Sequence, residues 1–461
     1  MNWARAVIKV SIPAREITTP SHRDIMNSES HTTYDDARNV LILLNQSGFK
    51  SMFAGGCVRD RILGNTPKDY DIATTARPEE VVRLSRGAGL KAVPTGIDHG
   101  TVTIVTGTGP VEVTTLRNDV ATDGRHAVVS FDGATFETDA ARRDFTMNAL
   151  FEDQDGKIFD YTNGRQDIQA RVLRFVGAPE ERIREDYLRS IRYFRFWARF
   201  GFAPDPAALA AIGNQREGLT RLSRERVSSE LWQILTADHC AEALIAMERA
   251  GVLAILWPEF IPIDHKVSIG LRNSRSLAPD VRAFATLTLL LNLTDPGCWD
   301  DERVSLFARG QRWSDRDLTA LIEIHRGWQN LKTSFPTVAD ALIFAGHLES
   351  EPSRRSLTGF YGPIWHFLAT QYGDHVRQSN LAWLMANDTA FSFRRQAAMP
   401  LSGRDVQEYF PELQGRDIGF VLLQVRHGFL NGLWQSLTEG LEFLRNITQT
   451  SETSEEWEEQ E

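Results

Sequence analysis

The sequence predicts an α+β protein in which a small mixed α/β domain is followed by an all-helical remainder. Two patterns support this prediction. Residues 31–150 alternate short helical patterns with segments rich in β-branched residues, separated by turns that contain glycine. From about Glu180 to Asn446, apolar residues recur at helical spacing and strand patterns nearly vanish. At 461 residues the chain is too long for one ordinary core, and roughly two to four domains are expected for this length.

The mixed α/β domain is predicted to contain four strands and three helices, each supported by a local pattern. Alternating β-branched residues favour strands, whereas a glycine after an apolar periodic run marks the end of a helix. In chain order we expect a helix at 34–46, a strand at 49–54, a helix at 58–63, a strand at 69–73, a helix from Pro78, and strands at 101–106 and 111–116. A polar, glycine-containing loop is predicted at 118–131.

The formal net charge of −10 weighs against a nucleic-acid partner, but the charges are unevenly distributed. Six glutamates lie within the last eleven residues, a composition typical of a solvated tail. Residues 182–226, in contrast, contain ten arginines, no lysine and five acidic residues. A basic region of this kind can bind a phosphate backbone even on an acidic protein.

Cysteine usage favours a reducing compartment, since Cys57, Cys240 and Cys298 are far apart and show neither metal-ligand nor disulfide spacing. No apolar run is long enough to cross a bilayer. Residues 1–30 resemble no domain. A transit peptide is one interpretation, but we favour a flexible extension, with Met26 as an alternative initiator. We therefore expect a cytoplasmic protein without a membrane partner, and the sequence identifies no protein partner.

The most informative motif is a glycine pair, Gly55-Gly56, that leads into a short helix carrying Arg59. Glycines allow the backbone to approach a ligand closely, and a helix N-terminus attracts phosphate. Beyond this helix, Asp69 and Asp71 stand one residue apart in a predicted strand. Alternate strand residues point the same way, so these two carboxylates can share a metal site. The combination predicts Mg²⁺-dependent phosphoryl chemistry on a nucleotide.

Glu112 is the candidate third acid, because a charge between the β-branched residues of a strand is costly unless it has a partner. An Asp-x-Asp pattern also arises by chance in many loops. The glycine pair and arginine nearby make the metal-site interpretation the better one. Asp69, Asp71 and Glu112 are therefore our catalytic candidates, with Asp69 and Asp71 as metal ligands.

A second group of candidates lies further along the chain. Arg143, within 142–150, could reach a ribose or phosphate, although this segment also reads as an ordinary capped helix start. A single helix is predicted over 182–202, and its arginines Arg189, Arg192, Arg195 and Arg199 fall away from the apolar face. Four such charges repel one another unless an anion lies alongside, so phosphate contact is our preferred interpretation and solvation the alternative.

Asp186 and Arg189 could read a nucleobase. A carboxylate accepts and a guanidinium donates, which matches the amine and adjacent ring nitrogen of both cytosine and adenine. Uracil and guanine present a carbonyl instead, leaving the acid facing an acceptor, so they would be rejected. The alternative is a plain ion pair between neighbouring turns, which contributes little.

Together these residues resemble the class II nucleotidyltransferases, a family of bacterial and organellar CCA-adding enzymes and bacterial poly(A) polymerases. The similarity covers about residues 35–235. It is carried by Gly55 to Asp60, Lys68-Asp69-Tyr70-Asp71, His99-Gly100-Thr101, Glu112-Val113, Arg142 to Leu150, Asn163 to Ile168, Arg174 to Gly177, Glu185 to Arg189, and Ser223 to Arg226. The run from Ile183 to Arg189 is more similar to the CCA-adding branch.

The resemblance implies a domain order. A flexible extension (1–30) would precede a polymerase beta-like head (31–150), a base-reading neck (151–235), a helical body (236–350), an RNA-binding helical tail (351–446) and an acidic disordered end (447–461).

The resemblance also implies roles for individual residues. It gives Mg²⁺ binding to Asp69 and Asp71, base reading to Asp186 and Arg189, and nucleotide contacts to Gly55, Gly56, Arg59, Arg143, Arg192 and Arg195. The segment from Asp123 to His126 matches the loop that the family uses in switching from CTP to ATP. Cys57 stands where the family usually has alanine.

The implied activity is template-independent addition of C, C and A to the tRNA 3′ end from CTP and ATP. A poly(A) polymerase shares all the head motifs, and a partial CC-adding or A-adding enzyme is equally compatible with one sequence. A non-catalytic RNA-binding protein on the same scaffold is the alternative from another class. The intact acids argue against it, because a binder has no need of clustered carboxylates beside RNA phosphates.

Overall fold

The computed structural model describes residues 32–122, 127–260, 263, 265–294, 301–331, 362–372, 374–386 and 399–411, and part of 418–451. The described residues divide into two compact units. A head unit comprises 32–118, 129–140 and 148–161, and a helical unit comprises 119–128, 141–147 and the residues from 162 onward. The motif at 142–150 is therefore shared, because its first six residues belong to the helical unit and its last three to the head unit. The 1–30 extension and the 123–126 segment lie outside the described residues.

The head unit is built on a seven-stranded mixed sheet. Its strand order is β3-β4-β5-β2-β1-β8-β9, in which only β2 and β5 are parallel neighbours. The strands are β1 (Ser51–Ala54), β2 (Tyr70–Thr74), β3 (Lys91–Gly96), β4 (Thr101–Val105), β5 (Pro110–Thr115), β8 (Leu150–Glu152) and β9 (Ile158–Asp160). The helices are α1 (Thr33–Gln46), α2 (Gly56–Ile62), α3 (Pro78–Gly87) and α4 (Phe136–Ala141).

The core of the head unit lies on one face of this sheet, as alternation predicts. Val111 and Val113 of β5 are fully buried, whereas Glu112 between them is exposed. Tyr34, Phe53 and Tyr70 form a ring cluster with centroids 5.7–5.8 Å apart. The four predicted strands are confirmed within two residues at each end, and so is the start of each of the three predicted helices.

The prediction of a loop over 118–131 is wrong in part. Strands β6 (Asn118–Thr122) and β7 (Ala127–Ser130) pair as a separate two-stranded sheet. The sequence analysis also missed β3, β8 and β9. Strands β8 and β9 have three residues each, too short for an alternating pattern to be recognised.

The second unit is largely helical, as predicted. Its helices are α5 (Gly164–Ala170), α6 (Pro179–Glu185), α7 (Leu188–Phe200), α8 (Pro206–Asn214), α9 (Arg224–Thr236), α10 (Cys240–Arg249), α11 (Val252–Leu256), α12 (His265–Asn273), α13 (Pro279–Thr294), α14 (Asp301–Gly310) and α15 (Asp315–Asn330). Further helices span Gly362–Tyr372, His375–Ala386, Gly403–Tyr409 and Leu437–Ser451. Among the described ranges, no helix combines the length and hydropathy needed to span a bilayer.

The single helix predicted over 182–202 is wrong, because the chain leaves the helical conformation at Asp186. Here α6 ends, Asp186 is extended with φ −154° and ψ 108°, and α7 begins at Leu188. Apolar residues continue at helical spacing across the break, which is why periodicity alone does not reveal it. We call residues Asp186 and Tyr187 the α6–α7 joint.

The joint is fixed by packing and by charge. The Tyr187 ring lies so close over Gly218 that a Cβ placed there would be 2.0 Å from a ring carbon. Beneath α7, Phe145, Phe175, Tyr193 and Phe196 form an aromatic core with centroid separations of 4.9–5.9 Å. The buried Tyr193 hydroxyl donates to the Leu173 carbonyl and accepts from the Asp205 N–H, at 3.1 and 2.8 Å. Helix α7 is thus held rigidly.

Candidate active site

The glycine pair connects β1 to α2 in a conformation that requires glycine. Gly55 has φ +73°, a region that side chains avoid. Its N–H donates to the Leu150 carbonyl at 2.9 Å, which fixes the turn against β8. Gly56 begins α2, and a Cβ at Gly56 would lie 3.6 Å from a guanidinium nitrogen of Arg59. The predicted close approach of backbone and ligand is therefore sterically available at this turn.

Arg59 is almost completely buried, with 3% of its surface exposed. Its Nε lies 2.8 Å from the Asp60 carboxylate, and a terminal nitrogen donates to the Asn148 side-chain oxygen at 2.5 Å. These contacts pair the buried charge, as its burial requires. Arg59 therefore supports the glycine turn from beneath, and the phosphate contact assigned to it stays a prediction.

Two of the three candidate acids lie side by side in the sheet. In the parallel ladder between β2 and β5, Asp71 is paired directly with Glu112. Asp69 precedes β2 by one residue and is exposed, whereas Asp71 is half-buried. Adjacent strands lie about 4.8 Å apart, so Asp71 and Glu112 are neighbours on the exposed face. The exposure of Glu112 also removes the desolvation argument by which the sequence analysis selected it.

The acids fit a magnesium ion that is completed by a substrate. Among the described residues, no group of three or more acids, histidines or cysteines closes into a metal cage. An open site is what Mg²⁺ prefers, because it keeps several waters and is held by one or two carboxylates plus substrate phosphates. Asp69 and Asp71 supply such oxygens without a competing nitrogen or sulfur ligand.

Cys57 fills a small space beneath the acids. Its thiol is buried and directed at the carbonyls of Ala54 and Asp71, at 3.3 and 3.8 Å. Burial raises the pKa of this thiol to about 11. The group therefore stays protonated and behaves as a small apolar side chain, consistent with a position where the family usually has alanine.

In the helical unit, Asp186 and Arg189 are both held, but by other residues. One oxygen of Asp186 accepts from the Leu188 N–H at 3.0 Å, and the other pairs with Arg226 at 2.7 Å. Arg189 pairs with Glu185 at 2.5 Å and donates to the carbonyls of Arg182 and Arg142. Asp186 and Arg189 therefore do not form an ion pair with each other. Each is held by a different charged residue, Asp186 by Arg226 and Arg189 by Glu185.

Two further arginines of α7, Arg192 and Arg195, are also paired with acids. Arg192 contacts Asp144 at 2.6 Å and Glu230 at 3.8 Å, and Arg195 contacts Glu230 at 2.6 Å. Burial alone would lower the pKa of Arg192, but the two carboxylates outweigh it and the pKa is raised. Arg143 is half-buried beside Asp144. Protein carboxylates thus offset the repulsion that the sequence analysis assigned to phosphate, and phosphate contact stays a prediction.

Three residues that form ion pairs with the candidate side chains were not predicted from the sequence. Glu185, Arg226 and Glu230 hold the candidate side chains, although only the first two lie within quoted motifs. Arg226 is forty residues from its partner, so no local spacing indicates the contact. Glu185 lies four positions before Arg189 in the sequence, and this spacing was the available signal.

Comparisons with known proteins agree with the fold and the motifs. A family model described as "Poly A polymerase head domain" matches residues 51–174, and one described as "Probable RNA and SrmB- binding site of polymerase A" matches residues 201–263. The chain is 46% identical over 256 residues to a protein of Mus musculus named "CCA tRNA nucleotidyltransferase 1, mitochondrial". That alignment covers 54% of this chain and 57% of the mouse protein, so the chain spans little more than half of that relative's length.

A bacterial relative is covered more completely. The chain is 33% identical over 312 residues to a CCA-adding enzyme of Geobacillus stearothermophilus, covering 60% of this chain and 75% of the relative. The structure is similar to that of the Bacillus stearothermophilus CCA-adding enzyme in complex with CTP, with a TM-score of 0.70 and 26% identity over 91% of this chain and 98% of that one. With its glycine turn, neighbouring strand carboxylates and α6–α7 joint, the chain belongs to the CCA-adding tRNA nucleotidyltransferase family within the class II nucleotidyltransferases.

Proposed function

We propose that this protein adds C, C and A to the 3′ end of tRNA, using CTP and ATP without a nucleic-acid template. The RNA 3′-hydroxyl oxygen forms a bond to the α-phosphorus of the nucleotide as the bond to the pyrophosphate oxygen breaks. The observation that carries this proposal is the β2–β5 register, which pairs Asp71 with Glu112 on the exposed face of the head sheet. That arrangement offers oxygen ligands beside a turn adapted to a phosphate.

The residues of the head unit have separate roles in this proposal. Asp69 and Asp71 would hold Mg²⁺. Glu112 would orient a water molecule or a neighbouring carboxylate of this metal site. Bound Mg²⁺ would neutralise phosphate charge and lower the pKa of the RNA hydroxyl. Gly55 and Gly56 would admit the triphosphate because neither carries a side chain, while the hydrogen bond from the Gly55 N–H to Leu150 and the buried Arg59 keep their turn in place.

The helical unit supplies base choice and RNA binding. Asp186 accepts from the exocyclic amine of cytosine or adenine, while Arg189 donates to the adjacent ring nitrogen. Arg143, Arg192 and Arg195 contact the nucleotide. We assign the neck to 151–235, the body to 236–350 and an RNA-binding tail to 351–446.

One incubation series tests the activity. A tRNA that lacks its CCA end is incubated with Mg²⁺ and with CTP, ATP, UTP or GTP singly, then with CTP and ATP together, and the products are resolved on a sequencing gel. We expect two additions with CTP alone, three with CTP and ATP, and none with UTP or GTP. Failure to extend this tRNA with any nucleotide would overturn the proposal.

Poly(A) synthesis is the second candidate, favoured by the name of the family model that matches residues 51–174. The same gel separates the two, because a poly(A) polymerase would build long A tracts from ATP and would not require CTP. A CC-adding enzyme would stop after two residues, and an A-adding enzyme would extend only tRNA that already ends in CC.

We propose a cytoplasmic location, as the cysteine usage suggests. The mitochondrial name of the mouse relative provides the alternative. Fractionation of source cells with antibody detection decides between them, since an organellar protein would sediment with the organelle.

Arg226 should control base choice through Asp186, and an Arg226→Ala variant tests this. Without the 2.7 Å ion pair, only the Leu188 N–H orients the carboxylate. We expect the kcat/KM ratio of CTP to UTP to fall roughly tenfold, the effect of about 1.4 kcal/mol. Arg226→Lys should restore part of the ratio, because it keeps the charge without the planar fork.

A purely structural role for Arg226 predicts a different outcome. In that case activity with CTP and UTP would fall by the same factor, in parallel with the melting temperature. An unchanged CTP to UTP ratio in Arg226→Ala would contradict the positioning role.

A further inference from the structure

A cleft in the helical unit is not used by the proposed chemistry. It has a volume of about 620 Å³ and lies among the start of α9, the end of α11 and one side of α14. This volume falls within the range of small-molecule sites. The cleft is lined by the apolar residues Ile255, Leu256, Pro258, Leu306 and Phe307 and by the exposed charged residues Arg224, Arg303 and Glu259.

Two features of the lining need a ligand to explain them. Leu306 is 61% exposed although it is a large aliphatic side chain. Gln311, which also lines the cleft, is only 6% exposed. Its side-chain oxygen accepts from the Trp257 indole N–H at 3.0 Å. An indole nitrogen only donates, so this bond fixes the orientation of the amide and identifies the other end as NH₂.

Within the described part of the chain, the NH₂ group of Gln311 has no hydrogen-bond acceptor, and it is open to the cleft rather than enclosed by protein. A donor that faces a cleft in this way is available to a ligand or to water. The cleft therefore combines the amide donor of Gln311, apolar walls and a net positive charge from two arginines and one glutamate.

We propose that this cleft binds a nucleotide whose base contacts the apolar walls and whose phosphate contacts Arg224 and Arg303. Every nucleobase has a flat apolar face that can pack against the apolar walls and at least one acceptor for the Gln311 amide. The inference rests on the proposed function, which brings RNA to this unit. The nucleotide is either an unstacked residue of the bound RNA or a free mononucleotide.

An alkyl anion such as a fatty acid fits the cleft less well. Its charge would suit the arginines and its chain would suit the apolar walls, but it has no acceptor at the end that would meet Gln311. A base satisfies all three features together.

The test uses the full-length protein and a fluorescent tRNA that lacks CCA. Its Kd is measured by anisotropy over a salt series for the wild type, for Arg224→Gln combined with Arg303→Gln, and for Gln311→Glu. The glutamate keeps an acceptor for Trp257 but removes the donor. Arg309→Gln is the matched control, because Arg309 is an exposed arginine of α14 that does not line the cleft.

We expect the double variant to raise the Kd roughly tenfold and to reduce the salt dependence by about one phosphate contact. Gln311→Glu should raise the Kd without this change in slope, and Arg309→Gln should stay within about twofold of the wild type. In steady-state assays, the double variant should have a higher KM for tRNA and an unchanged KM for CTP.

Cross-linking with a 4-thiouridine tRNA locates the nucleotide and identifies its source. A cross-link within residues 303–311 that persists in excess CMP or AMP supports an RNA residue, whereas competition without release of tRNA supports a free mononucleotide. If the double variant equals Arg309→Gln and no cross-link forms there, the cleft proposal is wrong even though wild-type protein adds CCA. If wild-type protein does not add CCA but the cross-link forms, the proposed function fails alone.

Discussion

Asp71→Ala should abolish nucleotide incorporation while the protein stays folded. Asp71 is paired with Glu112 across the only parallel ladder of the head sheet described in this chain. Removing a metal carboxylate forfeits several kcal/mol of transition-state stabilisation, which corresponds to a rate loss of roughly 1,000-fold or more. The side chain is half-buried at the exposed face, so its truncation leaves no large cavity in the core. Initial rates of CTP incorporation into tRNA, together with circular dichroism, measure both outcomes.

The matched control is Asp155→Ala. Asp155 is an exposed acid of the same unit in the turn between β8 and β9. This variant should retain wild-type rates. Near-normal incorporation by folded Asp71→Ala would refute the metal-site assignment. Restoration of activity in Asp71→Ala by Mn²⁺ would instead support it, because a more tightly bound ion compensates for a lost ligand.

Arg189→Ala should relax the choice of base more than it weakens triphosphate binding. Glu185, on the other side of the α6–α7 joint, holds Arg189 at 2.5 Å, and so its guanidinium is positioned before any nucleotide binds. A hydrogen bond from a charged group contributes about 1.5–3 kcal/mol. Discrimination between CTP and UTP should therefore fall roughly 10- to 100-fold, and the change should be visible as a ratio of kcat/KM values.

Arg184→Ala is the control for this experiment, because Arg184 is an exposed arginine of α6 outside the base-reading pair. It should leave discrimination intact. Arg189 also donates to two backbone carbonyls near the α6–α7 joint, so a modest loss of melting temperature is expected as well. Unchanged discrimination against UTP in folded Arg189→Ala would count against base reading by this residue.

Local patterns were sufficient for much of the fold. Helix α3 begins at the predicted Pro78, and β2 and β5 begin within one residue of expectation, because proline placement and β-branched alternation are local signals. Strand β3 was missed because it contains Pro94 and Gly96 and its register shifts before Gly96. Strand β8 pairs with β1, a contact distant in sequence that periodicity does not report, and β9 pairs in turn with β8.

The assignment of the candidate residues stays a prediction, and the partners that hold them were not foreseen. Spacing placed Asp69 beside Asp71, and the β2–β5 register adds Glu112. The anchors of the second group come from elsewhere in the chain. Arg226 reaches Asp186 from α9, and Glu230 of the same helix meets the arginines of α7. Such contacts follow from tertiary packing, which one sequence without its relatives does not encode in a local motif.

The break at Asp186 and Tyr187 releases the proposed base-reading pair from the geometry of a continuous helix. In an unbroken helix, the offset between an acid and an arginine three positions later is dictated by the helical pitch. Here that offset depends on the backbone torsions of one extended residue, braced by a tyrosine ring on glycine and by an arginine from another helix. A Cβ at Gly218 would displace the Tyr187 ring, so Gly218→Ala should move the neighbouring Asp186 and alter the proposed base choice without removing either side chain of the pair. The ratio of kcat/KM values for CTP and UTP measures this change.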